Sequence, residues 1–356
     1  MKNRALPGAI TGLGSLLVAA SLLTAAGAYH IIKRIPIADN GGWDYVTADS
    51  QARRLYVPHA TEVVVLDLDS GKIVGKIAGL EDVHGVALAP EFGHGFISAS
   101  DPGSVTMFDM KTLAVLGKER VGDDPNGIIY DPFTKRIFSA DRGSKRLTAI
   151  DAKTGKTVGA VNDLGGRTEH LASDQAGHVF LNIQDVGKLH KIDAKEMKIL
   201  ETWQIAPPCG QPSSMDMDRA HNRVFIGCRG NLPSQPAMPT VLAVVDGSNG
   251  KVVATEAIGA GVDALEFEAK TGLIFVSTGG GDGILSIFHE DKPDKYSLVQ
   301  NVKTLPGART MALDHKTGNI YLPVADFGPT PEATPENPRP RARPLPGTFS
   351  VLMVGR

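Results

Sequence analysis

Seven polar residues recur at one repeat position of this chain: Asp44, His84, Asn126, Glu169, Ser213, Asp263 and Arg309. Their types change from copy to copy while their polarity persists. Packing alone would not demand that, whereas side chains gathered round an open axis would, facing water and bonding loop backbones. The carboxylates of Asp44, Glu169 and Asp263 with the Asn126 amide form an oxygen-rich set suited to a divalent cation, and His84 and His170 would widen it to a transition metal. Acids drawn together in this way repel unless a cation or Arg309 neutralises them. If the set is catalytic, His84 or His170 is the expected proton-transfer group, because histidine titrates nearest neutrality. Asp124 neighbours the ring, and Trp43 and Tyr45 are expected to form an aromatic lip beside it.

The elements that position these residues are repeats. Tyr56, Phe96, Phe138, Phe180, Phe225, Phe275 and Tyr321 each sit on a short β-like run after a turn, at steps of 40, 42, 42, 45, 50 and 46 residues. Asp67, Asp109, Asp151 and Asp193 end apolar strands 42 residues apart, and Asp246 repeats the pattern. A period of 40–50 residues built only of short strands predicts an all-β, seven-bladed β-propeller with four antiparallel strands (A to D, inside to outside) per blade. One copy reads GIIYD, PFTK, RIFSA, DRGSK, RLTAID, AKTG, KTVGAV, alternating strands and turns. An acid occupies the A–B turn in six copies (Asp49, Asp131, Asp174, Asp218, Glu268, Asp314), where it caps the turn through its side chain; Ala89 is the exception. The ring position lies five residues before that turn, so all seven side chains are expected at the start of strand A, on the face of the central tunnel's mouth. The B–C loops, including Asp141–Gly143 and Arg229–Asn231, add a second layer there.

The ends predict closure. The seventh repeat stops after strand C, while Tyr29–Ile37 precedes the first complete repeat and reads as a spare outer strand. Pairing the two shuts the ring. A proline-rich insertion, 327–347, lies within the last repeat and carries Arg339, Arg341 and Arg343. It is expected as an extended loop rather than a domain.

Residues 1–28 read as a secretory signal: Lys2 and Arg4, an apolar stretch, then Ala26-Gly27-Ala28 before Tyr29. The domain would span 29–356, in the periplasm or outside the cell, with no membrane span after cleavage and as a monomer. Without Lys2 and Arg4, 35 basic residues face 39 acidic ones, a net charge of −4 that does not favour a polyanion partner. Cys209 and Cys228 flank the A and B strands of the fifth repeat, and an even pair in an exported chain predicts a disulfide; two free buried thiols are the alternative.

The segment RRLYVPH, the 42-residue period, the AIDAKTGKTVG-type turns and the leader together resemble the exported YncE-like, YVTN-repeat propellers. The resemblance covers Tyr29–Arg356 and implies the same fold. A branch of that group binds DNA, so the resemblance also implies nucleic acid as a partner class. No C-x-x-C-H, G-x-S-x-G, P-loop or H-E-x-x-H motif occurs. Two functions therefore stand as expectations. The first is a binding scaffold without chemistry, presenting its top face to a protein, glycan, small molecule or nucleic acid. The second is a metal-dependent, lactonase-like hydrolase with a cation in the hub.

Overall fold

The computed structural model describes residues 27–38, 42–234, 237–334, 337, 340 and 342–356, so the leader's residues 1–26 and Arg339 and Arg341 lie outside the described residues. Seven four-stranded antiparallel sheets follow one another round a ring. Blade 3 shows the plan: Pro125–Asp131 innermost, then Arg136–Asp141, Arg146–Asp151 and, outermost, Thr157–Val161. Each period-marking aromatic falls on strand B and is 0 or 1 % exposed, wedged between neighbouring blades. A single blade would leave both faces wet; stacked radially, the blades bury them against each other.

The turn acids behave as caps. Asp151 Oδ1 accepts the Lys153 and Thr154 amides and the Thr154 hydroxyl, and Asp67, Asp109, Asp193 and Asp246 make the same kind of contact. Asp131 does more. It is fully buried and holds Thr134 in its own turn while accepting the Ser173 hydroxyl of the next blade at 2.6 Å.

Closure follows the strand count. His30–Pro36 pairs antiparallel with Ser350–Gly355, in the sheet of Asn319–Val324 and Ala312–Asp314. A bulge between Ile31 and Lys33 accounts for the imperfect alternation of that segment. The inner strand of this blade is shorter than the Ala308–Asp314 expected: only Ala312–Asp314 pairs. The preceding residues reach across to blade 1 instead, where the Thr310 hydroxyl donates to the Asp44 carbonyl.

Cys209 and Cys228 form a disulfide, with Cα atoms 5.1 Å apart. Among the described residues no helix is long and apolar enough to cross a membrane.

Candidate functional site

Hydroxyls on strand B hold the start of strand A in the following blade. Ser98 donates to the Asn126 carbonyl and Ser277 to the Arg309 carbonyl, so each fixes a ring residue by its backbone. The blades approach closely here. A Cβ on Gly127 would stand 2.5 Å from the Glu169 carbonyl oxygen, which only glycine avoids. The ring residues are thus pinned before their side chains make any contact.

Those side chains meet in two networks. In the first, Asp44 Oδ2 lies 2.7 Å from His84 Nδ1, and His84 Nε2 lies 2.7 Å from Ser100 Oγ. The Asn126 amide is 3.3 Å from the same imidazole. Asp–His–Ser in line has the outline of a nucleophilic triad, but the proton count opposes it. The Ser100 hydroxyl donates to Asp124 Oδ1 at 2.6 Å, and Asp124 is gripped by Arg142 at 2.6 and 3.0 Å. A serine that gives its one proton to Asp124 can only accept from Nε2. Nδ1 in turn donates to Asp44, so His84 carries both protons and is an imidazolium. Burial opposes that charge, but the Asp44 hydrogen bond and charge outweigh it and raise the His84 pKa above its usual value.

In the second network Asp263 is clamped between Arg229 and Arg309; Arg309 Nε is 2.8 Å from Oδ2 and its Nη2 donates to the Trp43 carbonyl. Between the two networks stands Glu169, 4 % exposed. Among the described residues it meets only the Tyr45 hydroxyl, at 3.5 Å on Oε1, while Oε2 has no hydrogen-bond partner. Burial first, and then the Asp263 charge, push its pKa up to about 7. Tyr45 stacks obliquely on His170, ring centroids 4.9 Å apart, and both rings sit in the throat of the tunnel. Burial holds His170 neutral, its pKa brought down to about 4.

Asp44, His84, Asn126, Glu169, Asp263 and Arg309 therefore converge on one mouth, with His170 beneath. Ser213 faces away: its hydroxyl bonds the Gly227 and Val262 carbonyls. The expected ligand set Asp44, Asn126, Glu169 and Asp263 is not drawn onto one point, because Asp44 is held by His84 and Asp263 by two arginines. Three ligating atoms within 4.8 Å of one another occur elsewhere among the described residues, at Asp218, His221 and Glu290, in and beside the A–B turn of blade 5. Trp43 forms no lip; it is buried against Phe349 and Phe327. Arg343 belongs to the described part of the proline-rich loop, whose Phe327 and Pro344 form one bridge.

Sequence reasoning missed the far side of the throat. Below Tyr45 and His170 the tunnel widens into a chamber of 570 Å³ that reaches the A–B turns at Pro90, Pro132 and His315. Two acids line it, Asp216 and Glu266. Each sits two residues before a turn acid, where blades 1, 2, 3, 4 and 7 carry Thr47, Ala87, Ile129, Ala172 and Ala312. The signal lay in the repeat alignment, at a position other than the one first singled out.

No family model matches the sequence, and no curated protein does. Among solved structures, a chain of hydrazine synthase from Kuenenia stuttgartiensis is 16% identical at a TM-score of 0.71, covering 79% of this chain and 92% of that one. A chain of the mitotic checkpoint complex is 12% identical, TM-score 0.70, over 90% of this chain and 96% of its own. The Cps50 (Swd1) β-propeller domain of Myceliophteria thermophila is 12% identical, TM-score 0.68, over 92% and 100%. At such identities these likenesses establish the β-propeller fold and nothing narrower.

Proposed function

We propose that this protein is an exported binding scaffold whose top face, at the tunnel mouth, recognises a polar ligand or partner without transforming it. One observation carries the reading: the mouth is built of charged groups already paired with each other. Arg142, Arg229, Arg309 and the His84 imidazolium oppose Asp44, Asp124 and Asp263 in fixed geometry. A preorganised array of both signs gives orientation and specificity at low ordering cost. His84 is committed on both ring nitrogens, and the lowered pKa of His170, about 4, makes it a weak base near neutrality. The leader-like segment and the disulfide support export. A scaffold role also suits the propeller fold, which commonly serves protein binding.

The test is a peptide and glycan array probed with the mature protein and with an Arg229→Ala/Arg309→Ala variant. Binding that the variant loses while keeping the circular dichroism of the native fold supports the reading; its melting temperature is expected to fall, because Asp263 loses both partners. Steady turnover of a lactone or ester, abolished by His84→Ala, overturns it. The hub-cation hydrolase remains the competing reading, and it requires Asp263 to leave its arginines. Stoichiometric metal in protein purified without chelator, with a lower melting temperature in EDTA, would favour it.

A further inference from the structure

Glu266, in the wall of the tunnel chamber, makes no hydrogen bond among the described residues and feels the charges of Asp216 and Arg219 beside it. Asp216, beside it on the next blade, has both oxygens tied down: Oδ1 accepts the Met217 amide and Oδ2 the Phe267 amide, each at 2.8 Å, with Arg219 at 3.8 Å. Glu266 has no hydrogen bond or ion pair among the described residues, although it is half-buried and lines the same chamber. The wall is mixed: Val46, Leu88, Met215, Leu265 and Met311 give it apolar surface, and Thr47, Ser173 and Arg219 polar groups. A carboxylate in such a place is costly unless it keeps a proton or meets a cation. Burial, then the Asp216 charge, raises the Glu266 pKa well above the carboxylate range, which favours its protonated form.

We infer that the chamber is a binding site for a small organic cation, an ammonium head on an apolar body, which enters from the A–B turn face and sets its head against Glu266 and Asp216. Each part of the chamber matches a part of that ligand. The volume is that of small-molecule pockets, the wall takes the hydrocarbon, and the two adjacent carboxylates offer acceptors to N–H donors. An anion would meet two acids at this wall, with Arg219 already turned to one of them. A neutral alcohol would leave Glu266 protonated and gain little. Tyr45 and His170, their rings in contact, stand at the far end of the chamber toward the top face. This site is separate from the top-face network, and its fate does not depend on that reading.

Binding is coupled to proton release. The ammonium arrives charged, Glu266 gives up its proton to solvent, and the ion pair replaces the neutral acid. The other titratable groups lining the chamber are Asp216 and Arg219 from blade 5, Tyr130 from blade 3, His170 and Tyr45 toward the top face and His315 at the mouth. None of them is placed to take up the Glu266 proton through a hydrogen bond.

The experiment is calorimetric titration of the mature chain with 4-phenylbutylamine, 4-phenylbutanol and 4-phenylbutyrate, at pH 7 in two buffers of different ionisation enthalpy. The expected result is one amine site, at least tenfold tighter than the alcohol, no butyrate binding, and a net release of protons on amine binding. Glu266→Gln, the same size and uncharged, should weaken amine binding at least tenfold and abolish the proton release while keeping the melting temperature. Should Glu266→Gln fail to fold, the alcohol and proton comparisons on the unaltered protein decide. Equal affinity for amine and alcohol, no amine binding, or amine binding without proton release overturns the proposal. So does a heat of binding with calcium chloride alone, which would make the acids a metal site.

Discussion

At the scale of single residues, the tunnel mouth shows how burial and pairing divide chemically similar groups. Asp263 and Glu169 are both buried acids of the same ring, 6 and 4 % exposed. Two arginines hold Asp263, whereas Glu169 has one distant tyrosine hydroxyl and keeps a proton up to about pH 7. The sign of the consequence follows from linkage. In the unfolded chain Glu169 loses its proton near its ordinary, lower pKa, so between that value and about 7 the folded state holds a proton that the unfolded state does not. Folding is therefore favoured on the acid side, and that advantage is lost as pH rises through 7. A Glu169→Gln variant lacks the buried charge at high pH and should gain up to about 3 kcal/mol over the native protein at pH 8.5, with little difference at pH 4.5. Urea denaturation at the two pH values reads this directly; equal differences at both would show that Glu169 ionises normally in the fold.

At the scale of elements, the repeated aspartates separate into two kinds. Those of the C–D turns, such as Asp151, cap their own hairpin at the outside of a blade. Asp131, in an A–B turn, also ties blade 3 to blade 4 through Ser173. Asp151→Ala should cost roughly 1 kcal/mol, an exposed turn bond lost to water. Asp131→Ala strands the Thr134 amide and the Ser173 hydroxyl without water and should cost roughly 2–4 kcal/mol. The ratio is read from chemical denaturation midpoints; equal costs would mean that the inter-blade bond contributes nothing. Both kinds of acid were legible as turn residues from their spacing. Their difference was not, because it depends on a hydroxyl 42 residues away on another blade.

At the scale of the whole molecule, the ring is shut by the chain's two ends. Removing 29–37 strips the outer strand from Ser350–Gly355 and exposes the side on which Ile35 and Ile37 are buried. It also removes Tyr29, whose amide donates to Gln300 and whose ring packs on Phe275 of blade 6. An ordinary terminus can be trimmed with little effect. This one should lower the melting temperature by on the order of 10 °C, because several kcal/mol are lost at once. A truncated protein that melts with a chain that keeps 29–37 would show that the ring holds without this strand.

What the sequence determined by itself was the part governed by local periodicity. Aromatic spacing, turn acids and alternating strands specify one blade, and a missing strand at one end with a spare at the other specifies how seven blades close. It also placed His84, Asn126, Glu169, Ser213 and Asp263 at the start of inner strands, whereas Asp44 and Arg309 precede the shorter inner strands of blades 1 and 7. Which of them act together was decided only by the tertiary structure. Arg229 of blade 5 meets Asp263 of blade 6, and Ser100 of blade 2 meets Asp124 at the entry to blade 3, where Arg142 of that same blade also holds it, so the cross-blade pairings depend on angles round the axis that no local pattern encodes. Ser213 turned from the mouth for the same reason, drawn to backbone carbonyls of its own and the next blade. The chamber beneath was hidden too, since a carboxylate's lack of a partner is a property of everything around it.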